Sequence, residues 1–328
     1  MAYSAELCEQ AKTVLEQRRS TAQTRATQLR RVMIAKEPRL AEIEAQMAQS
    51  AGKVVSAILK GGNVEDEVEK IKRENLALQV EMSLLLKENG ATVSNFEPQY
   101  TCQKCEDTGV CNNKYCDCYL TLLRELSCET LSELSGMTPQ SFDTLSLEFY
   151  SDRPDARTGI APRARMRDVI AYCRAYAEGF DGSDVSLLLR GPTGVGKTHL
   201  SLAIAGEVMA RGYSVVYGPV QKLLHRIEKE HFGRAEGNSE DVMTECDLLI
   251  LDDVGTEFTS PFYTSALYNI INERMLTDKP TIISTNLNQK DLTTRYGEQI
   301  ASRITGTFQP IVCDGKDIRQ LKLKQSIE

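Results

Sequence analysis

The sequence predicts an α/β protein: a three-layer P-loop domain around a mostly parallel sheet, preceded by a small cysteine knuckle and an N-terminal helical hairpin or coiled coil. Three observations carry this expectation. A glycine-rich turn, Gly191-Pro-Thr-Gly-Val-Gly-Lys-Thr198, lies between the apolar β-type run Val185–Leu189 and a helical run that opens at Thr198. Two further apolar runs follow, Asp247-Leu-Leu-Ile-Leu-Asp252 and Pro280-Thr-Ile-Ile-Ser-Thr285, separated by helix-type sequence. Strands alternating with helices build parallel sheets. Upstream, residues 1–90 read as helix and five cysteines crowd between 102 and 118.

The 328 residues, 41% of them hydrophobic, suffice for two or three units with a sizeable core. Net charge is −7, so no global basic field announces nucleic acid and any such contact must be a local patch. There is no apolar run near ~18 residues and no basic-then-apolar start, which leads us to expect a cytoplasmic protein with no membrane partner. Ten cysteines in such a protein read as metal ligands plus buried thiols rather than disulfides. The expected organisation is a helical, partner-binding region over 1–95, a four-cysteine module over 96–130, a linker with aromatic anchors over 131–160, and a nucleotide-binding domain over 161–328.

Residues 1–90 are rich in Ala, Glu, Gln, Arg and Leu and contain a single proline, Pro38, which marks a kink or a new helix start. Apolar positions run Leu29, Met33, Leu40, Ile43, Met47 and then, after the Gly61-Gly-Asn63 turn, Val68, Ile71, Asn75, Leu78, Met82, Leu85. That is a heptad seam with a polar Asn75 at one core position, a device that sets register. It predicts an antiparallel hairpin or a seam shared with a partner. Between 18 and 39 the charge is lopsided, with Arg18, Arg19, Arg25, Arg30, Arg31, Lys36 and Arg39 against Glu37 alone. Such a face docks an acidic partner or DNA, or is simply solvated. No aromatic residue interleaves with these cations, which weighs against single-strand binding by this stretch.

The pairs Cys102/Cys105 and Cys116/Cys118, separated by a glycine turn, can bring four thiolates to one tetrahedral zinc ion. A cluster of free thiols is the alternative. One residue between Cys116 and Cys118 makes a tighter chelate loop than the usual two, and Cys111 is a fifth candidate in the intervening loop, expected to be dispensable. No histidine lies nearby to complete a water-bearing centre, so the expected zinc is structural.

The turn at Gly191–Thr198 fits G-x-x-x-x-G-K-[ST], the P-loop. Backbone N–H groups of Gly191, Pro192's neighbour Thr193, Gly194, Val195 and Gly196 can turn inward around phosphates, and the helix carrying His199 presents its positive end to them. Lys197 is expected to reach the β- and γ-phosphates of ATP, and the Thr198 hydroxyl to take a place on Mg²⁺. The run ending in Asp252-Asp253 is a buried strand that delivers acids at its carboxyl end, Asp252 for the Mg²⁺ shell and Asp253 to orient and deprotonate the attacking water. Asn286, at the tip of the next strand, can hold that water or sense the phosphate. The plainer readings are a glycine turn, an Asp-Asp turn and a polar strand end.

In this order, with Ala301-Ser-Arg-Ile304 after the Asn286 strand, residues from about 140 onward resemble the AAA+ ATPases of bacterial and phage helicase loaders of the DnaC/DnaI type, relatives of IstB-type transposition helpers. The cysteine module resembles one that DnaI-type loaders carry before the ATPase. The resemblance implies an ATP-hydrolysing loader of the hexameric replicative helicase onto single-stranded DNA, self-associating through its ATPase domain, with ATP, Mg²⁺ and Zn²⁺ as cofactors. It places Asn286 at the sensor-1 position, Arg303 at the arginine finger that completes a neighbour's site, and Arg319 at sensor 2. The polar stretch 219–245 falls where initiator-type relatives carry an additional DNA-contacting helix. A transposase helper, or an adaptor that binds ATP without turnover, is the alternative.

Overall fold

The computed structural model describes residues 5–60, 64–156 and 159–325. Contacts divide the chain into two compact units, Glu9–Leu120 and one built on Thr121–Glu328.

The first unit begins with helices α1 (Ala5–Lys36), α2 (Arg39–Lys60) and α3 (Val64–Glu88). Pro38 starts a new helix rather than kinking one, because its ring cannot follow α1 but suits a first helical turn. α2 and α3 lie antiparallel: Arg39 at the start of α2 pairs with Glu81 near the end of α3 at 2.8 Å, and Ser50 Oγ meets Asn75 Oδ1 at 2.7 Å midway. Asn75 is thus a polar core position with a partner. The Gly61-Gly-Asn63 turn lies outside the described residues. Met33, Leu40, Leu86 and Ala91 form a small buried cluster; at the far end the seam shifts from Leu85 to Leu86.

After the helices comes a hairpin of β1 (Val110–Cys111) and β2 (Lys114–Tyr115). Asn112 and Asn113 at its tip both have positive φ, 50° and 59°, the backbone of a type I′ turn, which Asn tolerates. α4 (Asp117–Leu134) follows.

The second unit is a five-stranded sheet of β3 (Leu187–Arg190), β4 (Val215–Pro219), β5 (Leu248–Asp252), β6 (Thr281–Thr285) and β7 (Gln309–Val312), in the order β4-β5-β6-β3-β7. Every pairing is parallel, with Leu188 opposite both Ile283 and Pro310. Alternate strand residues point to opposite faces. Leu187, Leu189, Val215, Ile250 and Ile282 join one core with α5 (Pro162–Gly179) and α6 (Lys197–Ala210). Leu188, Val216, Leu249, Leu251 and Ile283 join the other, with α7 (Val220–His231), α8 (Ser239–Glu245), α9 (Pro261–Leu276) and α10 (Gln289–Thr307). Each fully buried aliphatic side chain contributes about 1.5–3 kcal/mol, so double-sided burial makes this sheet the stable part of the molecule. The resulting three-layer α/β sandwich is the predicted fold class. α11 (Ile318–Gln325) closes the described chain.

The stretch 131–160 is packed into this unit. Phe142 and Tyr150 are buried in the α5–α6 core, and Gln140 N–H donates to Leu202 O at 3.2 Å. Among the described residues no helix is long and apolar enough to cross a membrane.

Candidate functional site

Parallel α/β sheets bind ligands at the carboxyl ends of their strands, where neighbouring connections diverge. β3 lies between β6 and β7, and the loop leaving it is Gly191–Gly196. A Cβ on Gly191 would stand 2.1 Å from Cys313 O, so only glycine lets β7 approach here. Gly196, with φ 96°, turns the chain into α6 in a left-handed conformation that a side chain would strain.

Lys197 opens α6 with only 5% of its surface exposed, and Nζ donates to Gly191 O and Pro192 O, both at 2.8 Å. Burial lowers its pKa. The ammonium is therefore held among loop carbonyls that a phosphate can replace. Thr198 Oγ1 donates to the Asp252 carboxylate at 2.9 and 3.1 Å. Asp252, 4% exposed, also accepts from Ser284 Oγ at 2.6 Å. Burial raises its pKa, and the bonds from Ser284 and Thr198 act in the opposite direction. Two adjacent hard oxygens, hydroxyl and carboxylate, suit Mg²⁺.

Asp253 follows with φ 53°, a left-handed backbone that costs a non-glycine residue about 1 kcal/mol. That twist takes Asp253 off the strand, so it is exposed where Asp252 is buried. Its N–H donates to Ser284 Oγ at 2.9 Å. One hydroxyl on β6 thus orients two consecutive aspartates, donating to the first and accepting from the backbone of the second. Sequence reading passed over Ser284; its only signal was a hydroxyl next to the tip of an otherwise apolar strand. Ser284→Ala is expected to leave burial less opposed and raise the Asp252 pKa further. The acid limb of magnesium-dependent nucleotide binding should then move to higher pH. Titrating binding against pH checks this, and an unmoved limb would remove the role given to Ser284.

A cavity of about 520 Å³, within the range of small-molecule sites, is lined by Thr193, Gly194, Gly196, Lys197, Thr198, His199, Asp252, Asp253 and Arg319. Arg319 reaches it on α11, because Ile318 N–H donates to Gly194 O at 2.9 Å and seats this segment on the loop. Val195 is buried, and its carbonyl accepts from Tyr150 OH at 2.9 Å. His199 Nε2 lies 2.9 Å from Thr144 Oγ1 and 3.1 Å from Ser141 O. Met137, Leu145, Phe149 and Tyr150 complete the wall, so the stretch expected to be a linker also lines the cavity.

Of the candidates, Gly191, Pro192 and Val195 in the loop, and Asn286 and Arg303 beyond it, are not among its lining residues. Asn286 is exposed just beyond β6. Arg303, on α10, donates to Asn272 Oδ1 at 3.2 Å, Gln299 O at 3.2 Å and Tyr268 OH at 3.1 Å, with its guanidinium 4.8 Å from the Tyr268 ring centre.

In the first unit, the sulfurs of Cys102, Cys105, Cys116 and Cys118 all lie within 4.8 Å of one another. Cys102–Cys116 is 3.8 Å and Cys105–Cys118 is 3.4 Å. A Zn–S bond of ~2.3 Å places tetrahedral ligands about 3.8 Å apart, so the four thiols fit zinc. Asp107 braces the first pair by accepting from Thr101 N–H and Cys102 N–H at 2.9 and 2.8 Å. Cys111 sits in β1, outside the four.

The phosphate-loop geometry, buried Lys197 and aspartate-tipped strand define a P-loop nucleotide-binding domain. Residues 179–304 match the model of the family described as IstB-like ATP binding protein. Over 141 residues the chain is 31% identical to the replicative helicase loader DnaC of Escherichia coli, covering 42% of this chain and 57% of that protein. Over 169 residues it is 30% identical to an ATP-binding protein of an insertion sequence in Mycobacterium tuberculosis, covering 49% of this chain and 64% of that one. It thus spans little more than half the length of the DnaC proteins it matches. Among solved structures, it aligns with a DnaC helicase loader at TM-score 0.44 and 23% identity, covering 53% of this chain and 98% of that one. With DnaA from Aquifex aeolicus bound to AMPPCP the TM-score is 0.39 at 26% identity, covering 48% and 51%.

Proposed function

We propose that the protein is an ATPase that loads a hexameric replicative DNA helicase onto single-stranded DNA, with hydrolysis as an assembly and release switch. The alternative client is a transposase, since relatives of both kinds match at similar identity. The observation that favours a single-strand client is an exposed aromatic and cationic surface at the end of α7. Phe232 is 58% exposed; its ring centre lies 5.0 Å from that of His231 and 5.9 Å from that of Phe262, with the Arg234 guanidinium 6.0 Å away. Phe258, 73% exposed, precedes α9. Rings beside cations stack unpaired bases, which a duplex does not offer. The fit of four cysteines to zinc adds the module that the loader reading expects, and with α1–α3 it would hold the helicase.

In the nucleotide site, Lys197 neutralises the β- and γ-phosphates, and Thr198 and Asp252 would hold Mg²⁺, which would supply charge stabilisation at the transferred phosphoryl group. Asp253, exposed and turned off its strand, accepts the proton of the attacking water. Asn286 senses the γ-phosphate and Arg319 covers the bound nucleotide. Arg303 acts in trans, on the site of a neighbouring copy. Loading is tested by mixing the protein with its host's replicative helicase, ATP and closed circular single-stranded DNA. ATP-dependent retention of helicase on the circle is expected; helicase retention that is the same with and without the protein or ATP would overturn this reading.

Arg303 carries its own prediction. Its fork is permanently charged and suits a developing phosphoryl charge. Arg303→Ala and Lys197→Ala should each lack turnover, while their mixture regains part of it, because mixed neighbours combine an intact loop with an intact finger. If no ratio restores activity, Arg303 works within its own chain.

A further inference from the structure

Of the seven cations between 18 and 39, the fold uses two for itself. Arg30 pairs with Glu44 at 2.6 Å, and Arg39 with Glu81 at 2.8 Å and Glu42 at 2.9 Å. Arg18 and Arg25 have no acidic partner among the described residues, in a chain whose net charge is −7. Both instead line a groove of about 700 Å³ that runs along α1 beside residues 95–101.

The groove has a definite chemistry. Ala22, Ala26 and Leu29 also line it, beside Gln17 and Thr21, so its α1 side offers a low, partly apolar strip between and beyond the two arginines. Asn95 and Gln99 on the other side offer amides, and Glu97 offers a carboxylate. Arg18 and Arg25 are seven residues apart, two helical turns or about 10.5 Å along one face. An acidic residue and another seven positions on, in a helix lying along α1, repeat that spacing. The two alanines let such a helix approach closely. Nucleic acid fits less well, because no aromatic ring lines the groove to stack a base.

We propose that this groove binds an acidic amphipathic helix of a partner protein. Its carboxylates, two turns apart, meet Arg18 and Arg25, its small apolar face rests on Ala22 and Ala26, and a basic residue on its opposite edge meets Glu97. The surface lies wholly within the first unit and does not rest on the loader reading.

The probe is a fluorescein-labelled, hydrocarbon-stapled alanine-rich helix with Glu residues seven apart, titrated by anisotropy with the full chain. The wild type should bind it. Arg18→Glu with Arg25→Glu should weaken binding by about tenfold or more and, unlike wild type, bind a probe with Lys in place of Glu, since like charges repel and opposites attract across an interface. Ala22→Tyr should block both probes by filling the low side. Zinc content and hydrogen-exchange protection of residues 100–118, measured alongside, should be unchanged in every variant, which shows that the first unit remains folded. Absence of probe binding to the folded wild type, a charge swap that leaves preference unaltered, or displacement of the probe by oligo(dT) through Arg18 and Arg25 would each overturn the proposal.

Discussion

Lys197→Ala is expected to abolish ATP binding. Its ammonium is buried and already desolvated, so the cost of removing it from water is met in the folded protein before nucleotide arrives. Its contacts are neutral carbonyls of Gly191 and Pro192, which bind a cation less strongly than phosphate oxygens do. Alanine would leave the β- and γ-phosphates without the one buried cation of the loop, beside the carboxylates of Asp252 and Asp253. Truncating one member of a buried charge pair typically costs about 2–5 kcal/mol, or roughly 30- to 5,000-fold in affinity. Titration with a fluorescent ATP analogue checks this, with a melting curve to show that the sheet remains intact. Affinity within a few-fold of wild type would mean that the loop amides alone hold the nucleotide.

Zinc removal is expected to have the second large effect, confined to the first unit. Cys105 and Cys116 are buried, and their partners Cys102 and Cys118 are half-buried, in a module whose regular structure amounts to a two-residue hairpin and the start of a helix. Such a segment has little apolar area to bury, so a metal supplies what a core cannot. Structural zinc contributes an apparent ~10–16 kcal/mol in small modules, more than a typical domain's net stability. Cys105→Ser should therefore eliminate bound zinc and expose the amides of residues 100–118 to hydrogen exchange. Cys111→Ser should retain the metal. A single zinc ion per chain by elemental analysis is the expected baseline; a metal-free protein with protected amides would show that the thiols pack without it.

Motifs confined to short stretches were legible before folding. The loop from Gly191 to Thr198 is contiguous, and its glycines, lysine and threonine act where they stand in the chain. The hairpin of α2 and α3 was legible because a helix repeats its face every three or four residues. The basic run misled in part: Arg30 and Arg39 are consumed by Glu44 and Glu81, acids outside the window in which the charge was counted.

Ser284 could not be assigned in advance, because its role depends on β6 lying beside β5, with Ile283 opposite Leu251. That pairing brings one hydroxyl to both Asp252 and Asp253. The stretch 131–160 showed its aromatic anchors but not its place at the nucleotide cavity, which follows from Tyr150 reaching Val195 and from Ser141 and Thr144 reaching His199. The sequence by itself determined the phosphate loop, the alternation of strands and helices and the spacing of the cysteines. These are local properties, written in periodicity and in residues that few other conformations tolerate. Tertiary structure alone decided which hydroxyl orients the aspartates, which segments wall the nucleotide and which arginines remain free, because each depends on contacts between residues far apart in the chain.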